Sequence, residues 1–195
     1  MDDEAARTRV LDAAEELFYG RGIQAVGMDA VRSASGVTLR RLYQLFPSKA
    51  TLVEAYLLRR DARWRSALAA YVDGAGGADG SPDVRLPAVF DWLERWFEEP
   101  GFRGCAFVNS FGELGTSPEV ARAARAHKEA FRRQIDDLVA EAGAAPAAGA
   151  HLALLAEGAI TTAALTGSSA PAREAREAAR LLLAVHRSAH TGAER

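Results

Sequence analysis

The stretch Val31–Lys49, reading Val-Arg-Ser-Ala-Ser-Gly-Val-Thr-Leu-Arg-Arg-Leu-Tyr-Gln-Leu-Phe-Pro-Ser-Lys, leaves a chain few ways to fold. Two apolar-patterned segments are parted by Gly36 and closed by Pro47. Glycine accepts the left-handed backbone that a tight turn between steeply crossing helices needs. Proline disfavours helix at the residue before it. Val31, Val37, Leu42 and Leu45 are spaced to pack the two helices together. Thr38 and Leu39 fall in the first turn of the second helix, with Arg40, Arg41, Tyr43 and Gln44 further along and facing away from that contact. This is the layout of a helix-turn-helix, in which the second helix enters a DNA major groove.

The residue types suit that task. Arginine can chelate O6 and N7 of guanine, and glutamine can pair with adenine, so Arg40, Arg41 and Gln44 are candidate base readers. Thr38, Tyr43 and Lys49 suit phosphate contacts, and Lys49 opens a further helix whose N-terminal amides attract an anion. The same spacing also fits a helical hairpin whose polar face is merely solvated. Charge favours the first reading. The chain carries a net charge of −2, yet residues 21–65 hold nine basic residues against three acidic ones. A positive block in a mildly acidic protein suits phosphate binding.

Elsewhere the pattern is helical throughout, with no convincing alternation of strand type. One face of a helix over Glu4–Tyr19 carries Val10, Leu11, Ala14, Leu17 and Phe18, and Gly20 and Gly22 are placed to end it. Ser48 caps a long helix from Lys49 to about Val72. Gly74–Pro82 reads as a flexible loop. It lacks the Gly-Lys-Ser/Thr ending and preceding strand of a phosphate-binding loop. Further helices are predicted after Ser81-Pro82, over Cys105–Leu114, from Ser117 to about Ala142, over Ala150–Thr166 and over Pro171–Ser188. The expectation is an all-α protein of about nine helices.

The segment Arg9–Phe18, then Gly22, Val31, Ser35-Gly36-Val37-Thr38, Leu42-Tyr43 and Phe46-Pro47-Ser48-Lys49 with Leu52, resembles the N-terminal domain of TetR-family transcriptional regulators. The likeness runs from about Glu4 to Trp64. It implies a homodimer with a DNA-binding head of three helices over 4–64 and a ligand-binding and dimerisation domain over 65–195. The function it implies is a repressor that leaves operator DNA when a small molecule binds. The alternative is a helical small-molecule binder that has lost DNA recognition. Arg32 stands where the family usually has a small alanine, which requires its side chain to snorkel outward. Arg40 and Arg41 replace a common Gly-Thr pair, Leu45 a common His, and Gly27 a capping Ser or Thr.

Gly104-Cys105-Ala106-Phe107-Val108-Asn109 resembles a Gly-Cys-x-x-x-Asn segment in a branch of the family that senses small, often hydrophobic or electrophilic molecules. Phe90, Trp96, Phe97, Cys105, Phe107, Phe111 and Phe131 are candidates to line an apolar pocket, or equally to form simple core. Asn109 and Glu113 are candidate polar groups to orient a ligand, or equally surface residues or backbone caps. Cys105 is a sensor only if exposed and reactive. His186 and His190 are four apart, as metal ligands can be, but read as exposed histidines without a supporting carboxylate. Asp136-Asp137 and Glu98-Glu99 are sequence neighbours, so they do not face each other on a helix as catalytic pairs would. No cofactor and no enzyme activity are expected.

The last two helices, with Leu152, Leu155, Ala159 and Ala163 on one and Leu181, Leu182 and Val185 on the other, are expected from the resemblance to pair with their mates across a two-fold axis. No apolar run reaches the roughly 18 residues that span a bilayer. The acidic N-terminus lacks a signal core, and a lone cysteine fits a reducing compartment. A cytoplasmic location without membrane association is the expectation.

Overall fold

The structure, a computed structural model, describes residues 2–75 and 82–193, without the side chains of residues 82–83 and 188–193. Of the predicted loop 74–82, residues 76–81 lie outside the described residues, as do the capping role of Ser81 and the His190 side chain, whereas Gly74 and Ala75 continue α4 and Pro82 opens α5, so the loop is shorter than expected. Among the described residues there are nine α-helices and no strand. These are α1 Asp3–Arg21, α2 Met28–Ser35, α3 Leu39–Leu45, α4 Lys49–Ala75, α5 Pro82–Phe97, α6 Ala106–Leu114, α7 Pro118–Glu141, α8 Ala147–Thr166 and α9 Ala170–Ala193.

The chain forms two compact units that interleave along the sequence. Unit 1 holds residues 1–63 and 105–127, and unit 2 holds 64–104 and 128–195. The division falls inside α4 and inside α7.

Unit 1 is built on α1, which packs with α2 and α3. The Asp2 carboxylate caps α1 by accepting from the amide of Ala5 at 2.7 Å. The helix buries Ala6, Val10, Leu11, Ala13, Ala14, Leu17 and Phe18. Gly22 alone ends α1, with φ +88° and its amide donating to the Phe18 carbonyl, whereas Gly20 lies within the helix. Phe18 meets the ring of Tyr56 edge-on at 5.7 Å. At the head of α4, Ser48 and Thr51 cap each other's amides at 3.1 Å, the reciprocal pattern of a capping box.

Unit 2 packs α5, α8 and α9 together. Rings of Trp64, Trp92, Trp96, Phe97, Phe102 and Phe131 form one connected cluster, with Trp64 standing edge-on to Trp92 at 4.9 Å and to Phe131 at 5.2 Å. α8 and α9 pack closely, and many of their buried residues are alanines, Ala156, Ala159 and Ala163 on one and Ala172, Ala175 and Ala179 on the other, beside the larger Leu152, Ile160 and Leu183.

The expectation that no apolar run is long enough to span a bilayer fails at α8. α8 is long and apolar enough, at a mean hydropathy of 1.3, to cross a membrane by length and composition. It is instead a bundle helix. It packs on α5 and α9, and its one charge, Glu157, accepts a 2.5 Å ion pair from Lys128 of α7.

Candidate nucleic-acid interface

The turn between α2 and α3 has the predicted construction. Gly36 takes φ +67° and its amide closes α2 on the Arg32 carbonyl at 3.0 Å. A Cβ at this position would come within 2.7 Å of the Arg9 guanidinium. Thr38 caps α3, its hydroxyl accepting from the Arg41 amide at 3.3 Å. Val31, Val37 and Leu42 are buried as expected. Leu45 is only half-buried, against expectation, whereas its neighbour Phe46 is 1% exposed, with the Arg7 guanidinium of α1 over its ring.

This packing turns one side of α3 to solvent. Thr38, Leu39, Arg40, Tyr43 and Gln44 are all exposed, and Lys49 stands half-buried at the first position of α4. Arg41 is held to the Asp3 carboxylate of α1, which is itself 80% exposed. Arg40 and Lys49 have no ion pair among the described residues. Arg32 does snorkel: its Nε donates to Asp29 at 2.7 Å and its Nη2 to the Ser33 hydroxyl at 3.0 Å.

The positive block is more divided than its charge count suggests. Arg59, Arg60 and Arg63 of α4 converge on Glu15 of α1 at 3.0, 2.9 and 3.1 Å, and Arg59 also reaches Asp12 at 2.9 Å. Their charge joins α1 to α4. The Arg60 guanidinium also lies over the Tyr19 ring at 3.9 Å. Tyr56, buried beneath this network, has its phenol pushed far above its ordinary range, chiefly by loss of hydration.

Two supports of the head come from residues 105–127. Glu113 of α6 accepts from the amides of Ile23 at 3.1 Å and Gln24 at 2.7 Å, and the Gln24 side chain donates back to the Glu113 carbonyl. A carboxylate thus caps the α1–α2 loop, one of the roles open to Glu113 in the sequence. His127 of α7, 4% exposed, bonds Asp61 of α4 at 2.7 Å and stacks on Phe107 of α6 at 3.8 Å. Sequence reading missed His127. The available signal was its spacing from Ala124 and Phe131 on the buried stripe of α7.

The candidate ligand residues divide between the units. Phe90, Trp96, Phe97 and Phe131 are buried in unit 2, the last three within the aromatic cluster. In unit 1, Cys105 and Phe107 are buried, whereas Asn109 is exposed and Phe111 is 49% exposed. None of them lines the open cleft of about 330 Å³ between α4 and α7 of unit 2. That cleft is polar, bounded by Arg65, Ser66, Ala69, Ala130, Arg133, Gln134 and Asp137.

A short helix with an open polar side, set against its neighbour by a left-handed glycine and braced from behind, defines a helix-turn-helix DNA-binding regulator. Residues 10–56 match the family model described as bacterial regulatory proteins, tetR family. The fold is similar to the crystal structure of a TetR-family transcriptional regulator from Streptomyces coelicolor. The TM-score is 0.82 at 32% identity, covering 94% of this chain and 97% of that one. The chain belongs to the TetR family of transcriptional regulators. It is also 31% identical over 133 residues to the transcriptional activator FasR of Mycolicibacterium smegmatis, which is 68% of this chain and 58% of FasR. To the transcriptional repressor KstR of the same species it is 29% identical over 133 residues, 67% of this chain and 63% of KstR. The match thus spans less than two thirds of the length of either relative.

Proposed function

We propose that the chain is a cytoplasmic homodimeric repressor that reads duplex operator DNA with α3 and is released by a small ligand. The observation that carries this reading is the open side of α3, where Arg40, Tyr43 and Gln44 share solvent exposure above the buried Leu42. In this reading Arg40 and Arg41 contact guanine and Gln44 adenine, while Thr38, Tyr43 and Lys49 hold phosphates; Leu39 supplies an apolar contact such as a thymine methyl. Arg41 must leave Asp3 to do so. An ion pair this exposed opposes the move by no more than about 1 kcal/mol.

Two copies would pair through α8 and α9, whose outer faces carry Leu154, Leu165, Leu181 and Val185 at 55–83% exposure. Pairing sets the two α3 helices about 34–36 Å apart, the repeat of successive major grooves. A hydrophobic ligand, held within unit 2 by some of Phe90, Trp96, Phe97 and Phe131 or within unit 1 by some of Cys105, Phe107, Asn109 and Phe111, would release DNA by favouring another spacing. It must bind that arrangement more tightly than the DNA-competent one. The head (4–64) and the remaining chain (65–195) divide the labour in this scheme. Glu113 and His127 lie outside the head yet brace it, so a ligand that displaced α6 or α7 would disturb the head.

The test is binding to DNA upstream of the chain's own gene and to a scrambled duplex, at near-physiological salt. Arg41→Ala should cost about 1–3 kcal/mol on the operator and little on the scrambled duplex. An equal loss on both would remove Arg41 from base reading. Asp3→Ala should tighten binding slightly by freeing Arg41.

The second reading, a helical small-molecule binder without DNA recognition, is favoured by one observation: Arg59, Arg60 and Arg63 are tied to α1 carboxylates. A steep fall of duplex affinity with salt, reporting phosphate contacts, would rule it out. A flat profile would favour it.

A further inference from the structure

We propose that His151 and His186 form a two-histidine site for a divalent cation of the zinc class. His151 stands in the second turn of α8 and His186 towards the end of α9, both within unit 2. Nδ1 of His151 and Nε2 of His186 are 3.1 Å apart, with ring centroids at 5.2 Å and planes inclined by 40°. In the single chain His151 is exposed and His186 half-buried, so both are open to a cation before two copies pair on the neighbouring apolar face.

Geometry carries the assignment. Zinc–nitrogen bonds of about 2.0–2.1 Å at tetrahedral angles place two ligand nitrogens about 3.3–3.4 Å apart. The two facing nitrogens stand within a few tenths of an ångström of that separation. A small rotation of each ring turns its lone pair from the N–N line towards a shared point. Each neutral imidazole keeps its one proton on the far nitrogen, Nε2 of His151 and Nδ1 of His186, and offers the near nitrogen to the metal.

The ligands come from two helices that pack directly on each other. Little ordering is therefore required to bring the second ligand to the first. Water completes the coordination. An imidazole pair without carboxylates favours zinc, nickel or copper over magnesium or calcium. Leu154 and Val185, on the same turns, place the site at one end of the exposed apolar face of α8 and α9.

Sequence spacing alone suggests a different pair, His186 with His190, so the experiment separates the two. Zinc chloride is titrated calorimetrically into the full-length protein, with magnesium chloride as control. His151→Ala, His186→Ala and His190→Ala are measured alongside, with far-UV circular dichroism to check folding. The expected result is one zinc per chain and no magnesium binding. His151→Ala and His186→Ala should each lower zinc affinity by about tenfold or more, as losing even an indirect support of a metal ligand does. His190→Ala should behave as wild type. No zinc binding by the wild type, or unchanged affinity in His151→Ala, would overturn the proposal. So would loss in His190→Ala with binding kept in His151→Ala, which would assign the metal to the sequence pair instead.

Discussion

The two units share apolar cores of the same kind but differ in what aligns their helices around those cores. In unit 1 the ties are polar and withdrawn from solvent. Glu15, 22% exposed, gathers the withdrawn guanidiniums of Arg59 and Arg60 together with the open one of Arg63, and Asp61 binds a histidine that is 4% exposed. In unit 2 the centre is a cluster of aromatic rings, and the ion pairs of α9 sit at the rim. There Arg173 and Arg176, 58% and 47% exposed, reach Glu94 and Asp91 of α5. Withdrawn charge networks add little net stability over an apolar core but are costly to break at one partner. Rim pairs are cheap to lose. Unit 1 therefore has its geometry specified by a few irreplaceable contacts, while unit 2 draws its stability from bulk packing.

The largest expected effect tests the packing side. Trp64→Ala removes the ring that touches Trp92, Trp96 and Phe131 and should cost about 3–5 kcal/mol in urea unfolding. Next comes Glu15→Ala, which leaves Arg59 and Arg60 without their shared carboxylate; a loss of about 3 kcal/mol is expected by the same measurement. Glu113→Ala should cost about 1–2 kcal/mol and speed amide exchange at Ile23 and Gln24, read by hydrogen–deuterium exchange. Arg173→Ala should cost less than about 0.5 kcal/mol. If it matched Glu15→Ala, the contrast between withdrawn and rim charge would collapse.

What was legible in the sequence was local. Gly36, Thr38, Pro47 and Ser48 act on backbone within a few residues of themselves, so the helix-turn-helix and its boundaries could be read directly. Apolar spacing gave nine helices for the same reason. Partner choice was not legible. Glu15 meets arginines 44–48 positions away, and Glu113 meets amides 89–90 positions away. Nothing near those residues marks the pairing. The net charge of residues 21–65 was correctly counted, but its distribution depended on which carboxylates the fold brought alongside. Aromatic spacing had a related defect: Trp96 and Phe131 satisfy the same helical pattern whether their rings face a ligand or one another.

The interleaving of the two units constrains how such a chain can be recombined. A single crossover after α4 would carry Ile23 and Gln24 into a new host without the carboxylate that caps them, and Asp61 without its histidine. A graft that keeps the head intact must bring residues 105–127 along as a second insert, which takes three junctions instead of one. Swapped-head chimeras built at one junction should therefore work best between hosts that already carry a carboxylate at the position of Glu113.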